Sequence, residues 1–181
     1  MNERITLISI LDEENEAKIT KYTSKISNKI CKVPYGKGVI DREKVDTLPY
    51  HFTLYTFGIK KEQEVTKYLK TKKFPKIRVE VDKIEIINGK EDSHVLVFSI
   101  KENETLKRIQ EDIYSNYPND YYHPNHFHFH ITITISKDKK MIESTKRMLE
   151  EEFVPFELEV SKFGLFEIYP AKLVECYEYF V

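Results

Sequence analysis

The stretch "HPNHFHFHITIT" (residues 123–134) places four histidines within eight residues. His126, His128 and His130 alternate with Phe127, Phe129 and Ile131, and Thr132 follows two residues after His130. Alternation of this kind is the pattern of a β-strand, in which residues two apart share one face. Three readings follow. The histidines could chelate a metal, because alternate strand residues can reach one ion. One of them could do chemistry while its neighbours line a groove. All could decorate the polar face of a sheet. Pro124 separates His123 from the others, and no Asp, Glu or Cys cluster accompanies them. The expectation is therefore no metal site, with a metalloprotein built on His126, His128 and His130 as a lesser alternative.

A second stretch narrows the choice. "YHFTLYTF" (50–57) also reads as a strand, and an ungapped offset of 79 lays His51 on His130 and Thr53 on Thr132. The same offset superposes Lys60, Lys61, Glu64, Thr66, Lys67, Phe74, Glu80, Val81 and Lys83 on identical residues, eleven identities over the 37 positions from 51 to 87. Only His130 and Thr132 have counterparts in the first stretch, since His126 and His128 fall on Thr47 and Pro49. Fixed-period self-similarity points to a repeated structural unit. The expected arrangement is one domain over 1–181 with related halves at about 51–101 and 130–180. Each half carries a His-x-Thr strand followed by a helix and a strand pair.

In such a strand His51 and Thr53 share a face, and so do His130 and Thr132, while Phe52, Leu54, Ile131 and Ile133 point into apolar packing. Two lobes related by a pseudo-two-fold axis would set the two faces across a cleft. An unperturbed imidazole titrates near 6.5, so close to neutrality one ring can accept a proton while the other donates one. Threonine hydroxyls can hydrogen-bond the non-bridging oxygens of a phosphodiester. This chemistry calls on neither a metal nor a covalent intermediate.

"HFTL" (51–54) and "HITI" (130–133) resemble the paired His-hydrophobic-Thr/Ser-hydrophobic motifs of the two-histidine (2H) phosphoesterase superfamily, which includes the 2′-5′ RNA ligase-like RNA 2′,3′-cyclic phosphodiesterases. The resemblance implies a bilobal α+β fold, with two antiparallel sheets flanking a central groove and helices outside. It implies hydrolysis of a cyclic or 2′-5′ nucleotide phosphodiester without a cofactor, with reverse ligation as a further option. The residues it names are His51, Thr53, His130 and Thr132, with His130 leaning towards general base and His51 towards general acid. Phe129 stands where RNA-processing members often have proline, and the first base after the motif is Lys137. A catalytically silent nucleotide-binding module of the same fold is the alternative.

Three further residues are candidates for substrate contact. His128 shares the face of His130, roughly 7 Å along the strand. Tyr50 and Tyr122 flank the motif strands, where an aromatic ring can stack a nucleobase. Lys37, Arg42 and Lys44 lie in a Gly- and Pro-containing segment (31–49) that could fold over a phosphate. The chain as a whole has 29 basic and 30 acidic residues, a formal net charge of −1, so it lacks the basic balance of a duplex-binding protein. Cys31 and Cys176 form no disulfide framework, and no apolar run is long enough to span a membrane. The expected setting is cytoplasmic, as a monomer with a nucleotide or RNA-end substrate.

Overall fold

The computed structural model describes residues 4–27, 35–36, 48–58, 61–119, 123–167 and 172–178. Strand β1 (Arg4–Ile10) and helix α1 (Glu13–Thr23) open the chain. Short segments β2 (Tyr35–Gly36) and β3 (Leu48–Pro49) pair in parallel before β4 (Thr53–Gly58). Then come α2 (Glu62–Lys70), β5 (Ile77–Asn88), β6 (His94–Ile100) and α3 (Glu104–Asn116). The chain continues through β7 (His130–Ser136), α4 (Lys139–Glu150), β8 (Phe156–Val160), β9 (Lys162–Glu167) and β10 (Lys172–Glu178).

Side-chain caps set where three helices begin. Asp12, Asn103 and Asp138 each accept from the backbone N–H three residues on, at 2.9, 3.1 and 3.1 Å. Each satisfies an N–H that has no partner within the helix. The strands follow the two-residue period: in β5, Ile77, Val79 and Val81 are buried and alternate with Arg78 and Glu80 on the other face.

Two four-stranded antiparallel sheets result, in the orders β10-β9-β1-β4 and β7-β6-β5-β8. This is the α+β architecture expected from the sequence. Helices α2 and α3 pack on the first sheet, against β4 and β10, and α1 and α4 on the second, against β8, β5, β6 and β7. A single apolar cluster runs through both layers, from Ile5 and Leu54 to Phe98 and Ile133. Aromatic edges knit it, with Tyr22 of α1 between Phe98, Phe153 and Phe156 at centroid separations of 5.6–5.9 Å.

The order β1-α1-β4-α2-β5 recurs as β6-α3-β7-α4-β8/β9. The strand and helix in front of each His-x-Thr strand therefore match as well. The strands after a motif do not all stay with it, although β8 remains in the sheet of β7. β5 lies in the sheet of β7, and β9 lies in the sheet of β4. Helices trade likewise: α1 follows β1 yet packs on β8, and α3 follows β6 yet packs on β4. Asn15 of α1 clasps the backbone of Glu159 in β8, donating to its carbonyl at 2.8 Å and accepting from its N–H at 3.2 Å. The two sheets are therefore not the two halves of the sequence.

Candidate active site

The motif strands β4 and β7 are the edge strands at which the sheets meet, joined by an antiparallel bridge between Phe52 and Ile131. Both side chains are fully buried. An antiparallel bridge has a local two-fold axis, so its flanking residues pair crosswise. His51 falls opposite Thr132, and Thr53 opposite His130. The register thus sets each motif histidine across from the threonine of the other motif, and the two imidazoles are near enough for His130 to act on the charge of His51.

A bulge in each strand makes the groove face polar. Leu7 pairs with Tyr55 and Ile8 with Thr53, so Leu54 is an extra residue in β4. Leu96 pairs with Thr134 and Val97 with Thr132, so Ile133 is the extra residue in β7. The two bulges stand at the same offset of 79 as the motifs. A bulge reverses the alternation locally, so Thr53 faces the groove while Tyr55, two residues on, is fully buried in the core. Ser9 fixes the register from behind, with its N–H donating to the Phe52 carbonyl at 3.0 Å and its hydroxyl accepting from the Phe52 N–H at 2.9 Å.

Both histidine rings are held alike. Nδ1 of His51 donates to the Pro49 carbonyl at 2.7 Å, and Nδ1 of His130 donates to the His128 carbonyl at 2.8 Å. A carbonyl only accepts, so Nδ1 carries the hydrogen and each neutral ring presents its lone pair at Nε2. Burial drives both pKa values down from the ordinary imidazole range. His51 falls to about 4, because its ring is enclosed and because His130 opposes a second positive charge. His130 is lowered by burial and by His128, against the raising effect of its carbonyl bond.

The other expected residues divide. His128 lies on the groove face, with its ring centroid 6.3 Å from that of His130. Its Nε2 is 3.8 Å from Glu85 Oε2. Glu85 in turn accepts from the Ser99 hydroxyl and pairs with Lys83 at 2.9 Å, and these two hold its carboxyl below the usual carboxylate range. Ser99 lies directly opposite His130 in the ladder. Sequence reading did not find Glu85 and Ser99, because neither carries a motif and both come from other strands of the sheet, Ser99 from β6 beside β7 and Glu85 from β5 beyond it. Tyr50 is enclosed. It is buried beneath α1, hydrogen-bonded to Thr23, and the enclosure raises its phenol pKa. Tyr122, Lys37, Arg42 and Lys44 lie outside the described residues.

The three alternating histidines do not converge. The strand begins at His130, and residues 124–126 form a turn, which carries His126 off the strand face. His126 instead stacks near His123, with centroids 5.3 Å apart, and His123 packs on Tyr114. Among the described residues no three His, Cys, Asp or Glu side chains gather as a ligand set.

The family model of the 2′-5′ RNA ligase superfamily matches residues 38–169, which spans both motifs. The chain belongs to the 2′-5′ RNA ligase superfamily. Solved members of the fold agree in architecture over nearly their whole length. E. coli LigT in apo form superposes with a TM-score of 0.66 at 13% identity, covering 99% of this chain and 98% of its own. TT0787 of Thermus thermophilus superposes at 0.59 and 19% identity, covering 97% of each chain. Kluyveromyces marxianus Usb1 superposes at 0.53 and 10% identity, covering 96% and 97%. No curated protein sequence matches the chain. This superfamily member has no described helix long and apolar enough to cross a membrane.

Proposed function

We propose that this 2′-5′ RNA ligase superfamily member hydrolyses a cyclic 2′,3′- or a 2′-5′ nucleotide phosphodiester by acid–base catalysis between His51 and His130. The observation that supports it is the Phe52–Ile131 bridge. It juxtaposes two imidazoles, each locked through Nδ1, with two hydroxyls that can hold the non-bridging oxygens. LigT, of the same fold, is described in complexes with phosphate, ATP and 3′-AMP, which fits an anionic nucleotide in this groove.

In this reaction one Nε2 takes a proton from water as its oxygen bonds to phosphorus. The other Nε2–H gives its proton to the departing ribose oxygen as the P–O bond breaks. Thr53 and Thr132 donate to the phosphoryl oxygens, where negative charge builds. Both rings are held neutral by burial before substrate arrives. The phosphate anion entering between them favours protonation of one. The resemblance gives His130 as base and His51 as acid. The deeper depression at His51 favours the opposite order in the free protein, because the ring that stays neutral serves as base.

The test is turnover of 2′,3′-cyclic nucleotides and 2′-5′ dinucleotides by chelator-treated protein, with the products assigned as 2′- or 3′-phosphates. Turnover that survives chelation is expected. No turnover of either class, or activity restored only by adding a metal, overturns the proposal.

A further inference from the structure

Helix α3 buries Leu106, Gln110 and Ile113. Residues at this spacing form one stripe of a helix, and a stripe that meets a core is ordinarily apolar. Gln110 puts an amide in the middle of it, with none of its surface exposed. Its Nε2 donates to the Leu54 carbonyl at 3.2 Å. Its Oε1 is buried and, among the described residues, has no hydrogen-bond partner. One donor is used and one acceptor is left over, a poor exchange for stability alone. Breaks of this kind in a local pattern belong to functional sites.

The partner of that donor stands beside the first motif. Leu54 is the extra residue of the β4 bulge, next to Thr53. The extra residue of a bulge is left out of the ladder, and the bulge re-aims the side chains around it. Helix α3 and its exit take over this edge of β4 residue by residue. After the Gln110 bond to Leu54, the Tyr55 hydroxyl donates to the Tyr117 carbonyl, and Asn119 Nδ2 donates to the Thr56 carbonyl at 3.1 Å. β4 meets β7 at the Phe52–Ile131 bridge, and from Leu54 onward it is held by α3.

We propose that Gln110 is a positioning residue: by holding the Leu54 carbonyl it fixes the bulge that aims the Thr53 hydroxyl into the groove, at a phosphoryl oxygen of the substrate. This rests on the phosphodiesterase reading above. Gln110 is enclosed between α3 and β4, so it acts through Thr53 and not on the substrate.

The experiment is a double-mutant cycle with a 2′,3′-cyclic nucleotide and the intact protein. Methionine keeps the length of the glutamine side chain, lacks its donor and suits an apolar stripe. Gln110→Met also removes the unpaired oxygen, so its urea midpoint is expected to stay close to that of wild type. Its kcat is expected to fall about tenfold while KM changes less than about threefold, because the misplaced hydroxyl serves charge that develops in the transition state. In the Thr53→Val background the same substitution is expected to cost less than about twofold, the mark of action through Thr53.

Gln110→Glu carries the test if Gln110→Met does not fold. It keeps the shape, and its carboxyl donates to the Leu54 carbonyl only when protonated. Its kcat relative to wild type is therefore expected to rise as pH falls. An unchanged kcat in folded Gln110→Met overturns the role, as does a loss of the same size in the Thr53→Val background, or a Gln110→Glu ratio that stays flat with pH. Absence of turnover by the wild-type protein overturns the role together with the phosphodiesterase reading.

Discussion

Pro49 and His128 perform one task with one kind of atom. Each turns its carbonyl to the Nδ1 of the histidine two residues on, at 2.7 and 2.8 Å. The contribution of position 128 to aligning His130 therefore comes from the backbone, and its imidazole is not needed for it.

Alanine at the three histidines accordingly separates their roles. His51→Ala and His130→Ala are each expected to lower kcat/KM on a 2′,3′-cyclic nucleotide by about 10²–10⁴-fold, the usual range for a general acid or base. His128→Ala should lose less than about tenfold. A His128→Ala enzyme as inactive as His130→Ala would show that the ring itself takes part.

A leaving-group series assigns acid and base. A nucleotide 3′-(p-nitrophenyl) phosphate expels an anion that needs little protonation. The variant lacking the general acid should recover most of its activity on this substrate, and the variant lacking the base should not. If His51→Ala recovers, the order implied by family resemblance holds. Recovery of His130→Ala instead gives the order favoured by burial.

The pH dependence of kcat/KM reports the free protein. With His51 near 4 and His130 below the ordinary 6.5, one ring is charged and the other neutral only on the acid side. The bell should be centred below pH 6.5. The kcat profile should lie at higher pH, because bound phosphate favours the protonated ring. Coincident profiles centred above 7 would contradict the burial argument.

Stability should carry the same signature. The unfolded chain protonates His51 near 6.5 and the folded chain near 4. Between these values only the unfolded state binds the proton, so stability falls as pH drops through that window and is unaffected by this group above it. At pH 4 the loss amounts to about 3 kcal/mol. Urea midpoints of wild type and His51→Gln at pH 7 and 4.5 check this, with a shallower decline expected in the variant.

Thr53→Val and Thr132→Val keep shape and remove a hydroxyl. Each is expected to lower kcat by about 10–10³-fold, as loss of a donor to developing charge does. Thr→Ser at either site should retain most activity, since the donor survives. Steady-state kinetics on the same cyclic nucleotide measure both.

The part of the site legible in the sequence was the part written at short range. Two residues apart on a strand means one face, so His51 with Thr53 and His130 with Thr132 could be paired from spacing alone. The offset of 79 between the triplets could be read because no insertion interrupts residues 51–83. It could not reveal that β1-α1 matches β6-α3. The segment from Ile10 to His51 is longer than that from Ile100 to His130, and the register is lost across it. Glu85 and Ser99 were invisible because ladder pairing brings them to His128 and His130 from other strands. For Tyr50, proximity to the motif in sequence does not set side-chain direction. The bend before β4 sends its ring under α1, where apolar burial and the Thr23 bond hold it.

The exchange of β5 and β9 between sheets bears on how the molecule can move. Two lobes joined by a single crossing could swing about a hinge and shut like a clamshell. Here several crossings of the chain, and the clasp of Asn15 on Glu159, tie each wall of the groove to the sequence of the other. The spacing of the two imidazoles is therefore built in at folding, and a substrate must come to a cleft whose width is already set.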